Sequence, residues 1–308
     1  MTEGNGIATL WGALRIEETM EKSELVIYEK PDLSRPWLIA GYKGWIDAGD
    51  VSSGCLAFLR EKFRAQRFAE ILSDGFYQFA DSRPAVVVEG GLIRRIEFPR
   101  NEFFYWKNKP PRPDLILFIG HEPHLRWKAF TDLFLKLAIE FRIERLVTIG
   151  GLYDQVAHTI PRKVSTVASS NRLLDDLLAH GVDLIHYTRP GSHVTILHKS
   201  AETKGIDSFM LWGRVPHYLQ MRSPGDSLAI LQLLSRLVPF EIDLDPLRDD
   251  AVLAEQQIRR AVEKKPELGS YIRQLESLQG ANAPERTKPS DQVIVEAVIT
   301  RDDKGDSQ

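Results

Sequence analysis

Cysteine is nearly absent: Cys55 is the only one in 308 residues. A single thiol rules out an internal disulfide framework and a cysteine-based zinc cluster, and it suits a reducing cytosol. An excess of either charge is missing as well. Forty Lys and Arg stand against 43 Asp and Glu, a net charge of -3, and a pI near 6.3 leaves no electrostatic footprint for nucleic acid or an anionic membrane. Long hydrophobic runs are lacking too. No window approaches 18 continuous apolar residues, and Met1–Leu10 has no basic stretch followed by an apolar one. A cytoplasmic protein with no membrane span and no nucleic-acid partner is expected.

What remains is an ordinary globular composition, 43% hydrophobic and 27% charged, with length enough for one large domain and an appendage. Short β-branched runs (Leu25–Tyr28, Trp37–Ala40, Leu115–Ile119, Leu146–Ile149, Asp183–Tyr187, Ser208–Trp212) alternate with helix-period segments. That pattern predicts an α/β protein whose mostly parallel sheet is covered by helices on both faces. In the clearest helix, Leu125–Phe141, apolar side chains recur at spacings of three and four. A second, Asp50–Phe63, puts Cys55 on its core stripe. Ser169–Gly181 has Ser and Asn at its start and Gly at its end, and Ser223-Pro224 opens another helix through Val238.

Residues 85–98, AVVVEGGLIRRIEF, break this rhythm. Gly90-Gly91 between two β-rich arms is a hairpin signature, and apolar arms that project from a sheet need another surface, for which a partner subunit is a natural candidate. The expected organisation is an N-terminal extension over 1–23, a core domain over 24–245, two helical stretches over 246–280 interrupted at Lys265-Pro266, and a polar tail over 281–308 with a short strand at Val293–Thr300.

Ligands of open α/β sheets bind outside the carboxyl ends of the strands. Four turns, Gly41–Asp50, Gly120–Arg126, Gly150–Asp154 and Thr188–His193, are predicted to share that rim. In the first, GYKGWIDAGD, Asp50 is expected to cap the following helix and Trp45 to pack, leaving Asp47 without a structural duty. The second, GHEPH, invites a metal reading through His121, Glu122 and His124; Pro123 precludes an H-E-x-x-H helix and no third ligand is identifiable, so no metal is predicted. Asp154 and His158 offer a carboxylate and an imidazole for acid–base work, or else two turn residues. Neither a phosphate loop nor a G-x-S-x-G elbow is present, and adjacent side chains such as Ser192 and His193 seldom face each other.

Taken in order, GWIDAGD, SRPAVVVEGGLIRRIEFP, GHEPHLRWK, TIGGLYDQVAHTIP, LWGRVPHYL and AILQLLSRL resemble the proteasome assembly chaperone 2 family, in its bacterial, actinobacterial-type branch, over residues 24 to 280. The resemblance implies a three-layer α/β/α core like that of nucleoside phosphorylases and peptidyl-tRNA hydrolases. It also implies a hairpin used in oligomerisation and a C-terminal helical lid over a ligand site. A homo-oligomer, with a trimer favoured, and a protein partner follow from it; no cofactor does. Of the ligand-binding candidates, Trp45, Gly49, Arg126, His217 and Tyr218 correspond to family positions, and Gly44, Gly150, Gly151 and Ser192 join them as rim positions. Two departures stand out: RPGSH at 189–193 replaces a Gly-Pro-Thr-Gly-like turn, and the chain ends Asp306, Ser307, Gln308, without the family's C-terminal proteasome-docking motif.

Two functions compete on this basis. One is a homo-oligomeric assembly or ligand-binding protein without catalysis. The other is a hydrolase or phosphorylase-like enzyme for a nucleoside or amide, with Asp47, Glu122, Asp154 and His158 as acid–base groups in an acidic pocket beneath the lid. ATP-dependent carboxylate–amine ligation ranks third, because neither a glycine-rich phosphate loop nor paired magnesium carboxylates are visible.

Overall fold

Continuous burial marks the centre of the sheet: in β2 (Trp37–Lys43) every residue but the last is buried, as expected of a strand covered on both faces. The computed structural model describes residues 23–280, apart from 187, 189 and 239. The expected N-terminal extension, save its last residue, and the polar tail with its short strand therefore lie outside the described residues. Around β2 lie β1 (Leu25–Ile27), β3 (Gln66–Ile71), β4 (Ala85–Glu89), β5 (Leu92–Glu97), β6 (Asn101–Trp106), β7 (Leu115–His121), β8 (Arg145–Asp154), β9 (Val164–Ala168), β10 (Asp183–Leu184) and β11 (Asp207–Pro216). The helices are α1 (Val51–Phe63), α2 (Trp127–Glu140), α3 (Asn171–Leu178), α4 (His193–Thr203), α5 (Pro224–Leu237), α6 (Asp245–Lys264) and α7 (Pro266–Gly280).

Among the described residues one sheet runs in the order β1-β3-β6-β7-β2-β8-β11-β9-β10. Its centre, β7-β2-β8-β11, is parallel, as the sequence predicts, and the fold is the expected α/β/α arrangement. The edges differ from expectation. The Leu25 strand joins β3 in antiparallel fashion, and the Asp183 strand reaches the sheet only through β9, which runs antiparallel to β11. β3 and β6 do not stand out by composition: Arg67, Glu70 and Glu102 interrupt them, yet Arg67 pairs with Glu102 across the two strands and with Glu70 along its own.

On one face α2 and α4 bury Phe130, Phe134, Val194 and Leu197 against β2, β6 and β7. On the other α1 and α5 bury Cys55, Leu56, Leu59, Ile230 and Leu234. Burial pushes the Cys55 thiol up to about 12, so it is a small apolar core residue and not a nucleophile. The hairpin forms as predicted: β4 and β5 pair antiparallel, and Gly90 and Gly91 both have positive φ, 59° and 77°, the signature of a type I′ turn.

Candidate functional site

The carboxyl ends of β7, β2, β8 and β11 share a rim, and it divides into two halves. One is covered. Helices α6 and α7 lie over the loops that follow β8 and β11, burying Ala157, Tyr218 and Leu219 against Ile258, Leu268, Ile272 and Leu275. Polar groups below them are paired. The Tyr218 hydroxyl accepts the His158 backbone N–H at 2.9 Å and also hydrogen-bonds His158 Nδ1 at 2.8 Å. Burial lowers the His158 pKa and favours the neutral ring. His217 Nδ1 is 3.2 Å from the Asp154 carbonyl and can donate to it, which leaves Nε2 to accept from Tyr271 of α7 at 3.0 Å. The Asp154 carboxylate accepts from Arg214 Nε at 2.7 Å and from the Gln155 N–H. A third group, Arg162, joins Asp226 at 3.1 Å and also Glu255 of α6, with Asp226 almost wholly buried.

The other half is open. Lys43, Gly44 and Trp45 after β2, His121 to His124 after β7, Trp127 of α2, Gly191 and Ser192 before α4, and Gln78, Asp81 and Ser82 from the stem of the hairpin line a pocket of about 520 Å³. Helices α6 and α7 contribute nothing to its lining. Contrary to expectation, Trp45 is not a packing residue, with 67% of its surface exposed. Glu122 Oε1 accepts the backbone N–H of His193, the first residue of α4, at 2.9 Å, which suits a carboxylate at a helix N-terminus. His124 Nδ1 accepts the Gln78 N–H at 3.1 Å, so this ring belongs to a turn. Burial lowers the pKa of His121, with Lys43 and His124 adding to the effect. Among the described residues no group of three or more His, Cys, Asp or Glu is arranged to hold a metal ion.

The loop between β2 and α1 explains its own composition. Asp47 Oδ1 accepts the Ser53 N–H at 2.9 Å, so Asp47 caps α1. Asp50, expected in that role, has left-handed backbone and makes no capping bond. Desolvation raises the Asp47 carboxyl to about 6 against the opposing bonds from Ser53. Gly49, at φ 61°, lies where a Cβ would sit 2.9 Å from that of Ser223. Gly150 and Gly151 are not turn residues, because β8 continues to Asp154. A Cβ on Gly151 would approach the Ala48 carbonyl to 2.3 Å, and one on Gly150 would strike the Trp212 ring. Ser52 completes the junction: its Oγ accepts from the Tyr42 N–H and donates to the Ile149 carbonyl, joining β2 and β8 where they part. Sequence reading missed Ser52, whose hydroxyl is unremarkable on a helix until two strands diverge beside it.

The candidate acid–base residues therefore occupy different settings. Asp47 caps a helix, Glu122 faces the open pocket, Asp154 is held by Arg214, and His158 lies beneath α7. Arg126 lies outside the pocket lining and pairs with Glu24, its guanidinium over the Phe76 ring. The expected ligand positions likewise divide: Gly44, Trp45 and Ser192 line the pocket, whereas His217 and Tyr218 hold the covering helices.

A parallel four-strand centre, antiparallel flanks, a projecting hairpin and terminal helices over half the rim define a three-layer α/β protein. Comparison with known proteins makes this specific: the PAC2 family model matches residues 42–262, and the chain belongs to that family. A PAC2 family protein from Streptomyces avermitilis is 30% identical, with 77% of this chain and 99% of that one covered and a TM-score of 0.69. A Mycobacterium tuberculosis protein described as a proteasome-assembly chaperone homologue is 25% identical over 77% of this chain and 99% of its own, with a TM-score of 0.70. The Pyrococcus furiosus archaeal proteasome activator shares the fold at 21% identity, covering 77% of this chain and 97% of that one, with a TM-score of 0.63. No curated protein matches the chain. Among the described residues no helix is long and apolar enough to cross a membrane.

Proposed function

We propose that this chain is a homo-oligomeric protein-assembly factor that acts by presenting surfaces and not by catalysis. The observation that carries the reading is the hairpin. Val86, Val88, Leu92, Ile93 and Ile96 are each at least half exposed, on an isolated two-stranded sheet whose outer edges are unpaired. Such a ribbon is marginal alone and is stabilised by docking; a second copy of the chain is the proposed surface, in a trimer. The description of the Mycobacterium relative as a proteasome-assembly chaperone homologue extends the reading to a ring-forming protease complex as client. The enzyme reading gains no support from the site, because Asp47, Asp154 and His158 are engaged in holding the fold.

The test is the mass in solution by light scattering, followed by affinity capture from the native cytosol. The wild type is expected at about three times 35.0 kDa, and Val88→Lys combined with Ile93→Lys at the mass of one copy, because charges on the ribbon oppose its burial. Capture is expected to recover subunits of a multi-subunit complex. A wild type that runs as a single copy and recovers none would remove the proposal.

A further inference from the structure

The open pocket has charge and aromatic surface that no part of the fold uses. Glu122 gives one oxygen to the His193 N–H; its other oxygen, Oε2, lies against the Gly44 turn, 3.6 Å from where a Cβ on that glycine would be. Among the described residues Glu122 and Asp81 make no ion pair, and the one lysine of the lining, Lys43, stands close enough to His121 to depress its protonation. Carboxylate charge is thus in excess in a pocket that Trp45 and Trp127 also line.

A second observation comes from below. The Tyr42 hydroxyl and His193 Nδ1 are buried and make no hydrogen bond. Their rings are 5.6 Å apart, and the His193 ring meets that of Trp127, a wall of the pocket, at 6.2 Å. Buried polar atoms are nearly always satisfied; these two lie behind the pocket wall, outside the residues that line it, and leave bonding capacity unused next to Trp127. His193 Nε2 meets Thr131 Oγ1 at 3.0 Å. In the tautomer whose Nε2–H is given to Thr131, Nδ1 is an acceptor.

We infer that this pocket binds an organic cation, a guanidinium or alkylammonium group on a short apolar stem, packed against the indoles of its lining with its N–H groups directed to Glu122. Cations are attracted to indole faces, most strongly where water is excluded. A guanidinium also presents several donors to a carboxylate. The volume suits a ligand of that size. The inference is independent of the hairpin and of self-association.

Calorimetry and tryptophan fluorescence on the full chain test it, with agmatine as a free cation, N-acetylarginine amide as a protein side chain, and N-acetylcitrulline amide as the uncharged isostere. Saturable binding of a cationic probe is expected, with the citrulline compound weaker by about tenfold or more. Tighter binding of agmatine would identify a free metabolite as the source of the group, and tighter binding of the capped arginine a protein segment. Glu122→Gln keeps an oxygen for the His193 N–H, and Trp45→Ala removes a mostly exposed side chain, so both variants should fold, as circular dichroism will check. Each should weaken binding by about tenfold or more. Val252→Ala, in the separate groove between α5 and α6, should leave it unchanged. No saturable binding up to about 10 mM, equal binding of the citrulline isostere, or wild-type binding by folded Glu122→Gln and Trp45→Ala would overturn the assignment.

Discussion

The two halves of the rim are built at the ends of neighbouring parallel strands and have been put to opposite uses. At β8 and β11 the loops carry Ala157, Tyr218 and Leu219, which α6 and α7 bury, and the polar side chains there are joined to one another. At β2 and β7 the loops carry Trp45 and Glu122, left exposed or partly used around a pocket. Polar residues at a strand end are therefore not evidence of a site by themselves. In the covered half they substitute for solvent under a helical layer; in the open half they have spare bonding capacity.

The largest effect expected from breaking this contrast comes from Arg162→Ala. It strips Asp226, 2% exposed, of its counter-charge beneath α6, and loss of one partner of a buried pair costs about 3–5 kcal/mol. Urea denaturation will read it, and an unchanged midpoint would mean that the covered half is loosely attached. Leu268→Ala removes a fully buried side chain of α7 and should cost about 2–4 kcal/mol, with faster hydrogen exchange in α7 and no change in the pocket.

Asp47→Asn sharpens the comparison through pH. The folded carboxyl holds its proton up to about 6, against an ordinary 3.8 for a free aspartate. Folding therefore takes up a proton between those values, and wild-type stability falls as pH rises across that window, by up to about 3 kcal/mol. Asparagine can still accept the Ser53 N–H but does not titrate, so the variant should lose this slope while keeping α1. The smallest effect belongs to the open half. Tyr42→Phe deletes a buried hydroxyl without a partner and should leave stability unchanged or raise it by about 1 kcal/mol, whereas a loss of more than that would show that the hydroxyl is satisfied.

Local pattern made much of this legible. Apolar runs located β2, β7, β8 and β11, the spacing of Phe130 and Phe134 located α2, and Gly90-Gly91 announced the hairpin, because each rests on periodicity or on backbone freedom that neighbours in sequence supply. The break at Lys265-Pro266 likewise separates α6 from α7. The site was legible only in part. Glu122, Gly44, Trp45 and Ser192 do meet at one pocket, but Gly150, Gly151, His217 and Tyr218 look equally suited to a ligand in sequence and serve packing in space.

The sequence by itself determined the layers, the parallel centre and the projecting ribbon, since hydrophobic period and turn chemistry are properties of short segments. Only the tertiary structure decided that Asp47 and not Asp50 caps α1, that Trp45 faces outward, and that α6 and α7 cover one half of the rim and leave the other open. The exposure of Trp45 and the covering of half the rim depend on which distant elements arrive beside a residue, and the cap of α1 depends on backbone geometry: Asp50 is left-handed and makes no capping bond, while Asp47 Oδ1 reaches the Ser53 N–H.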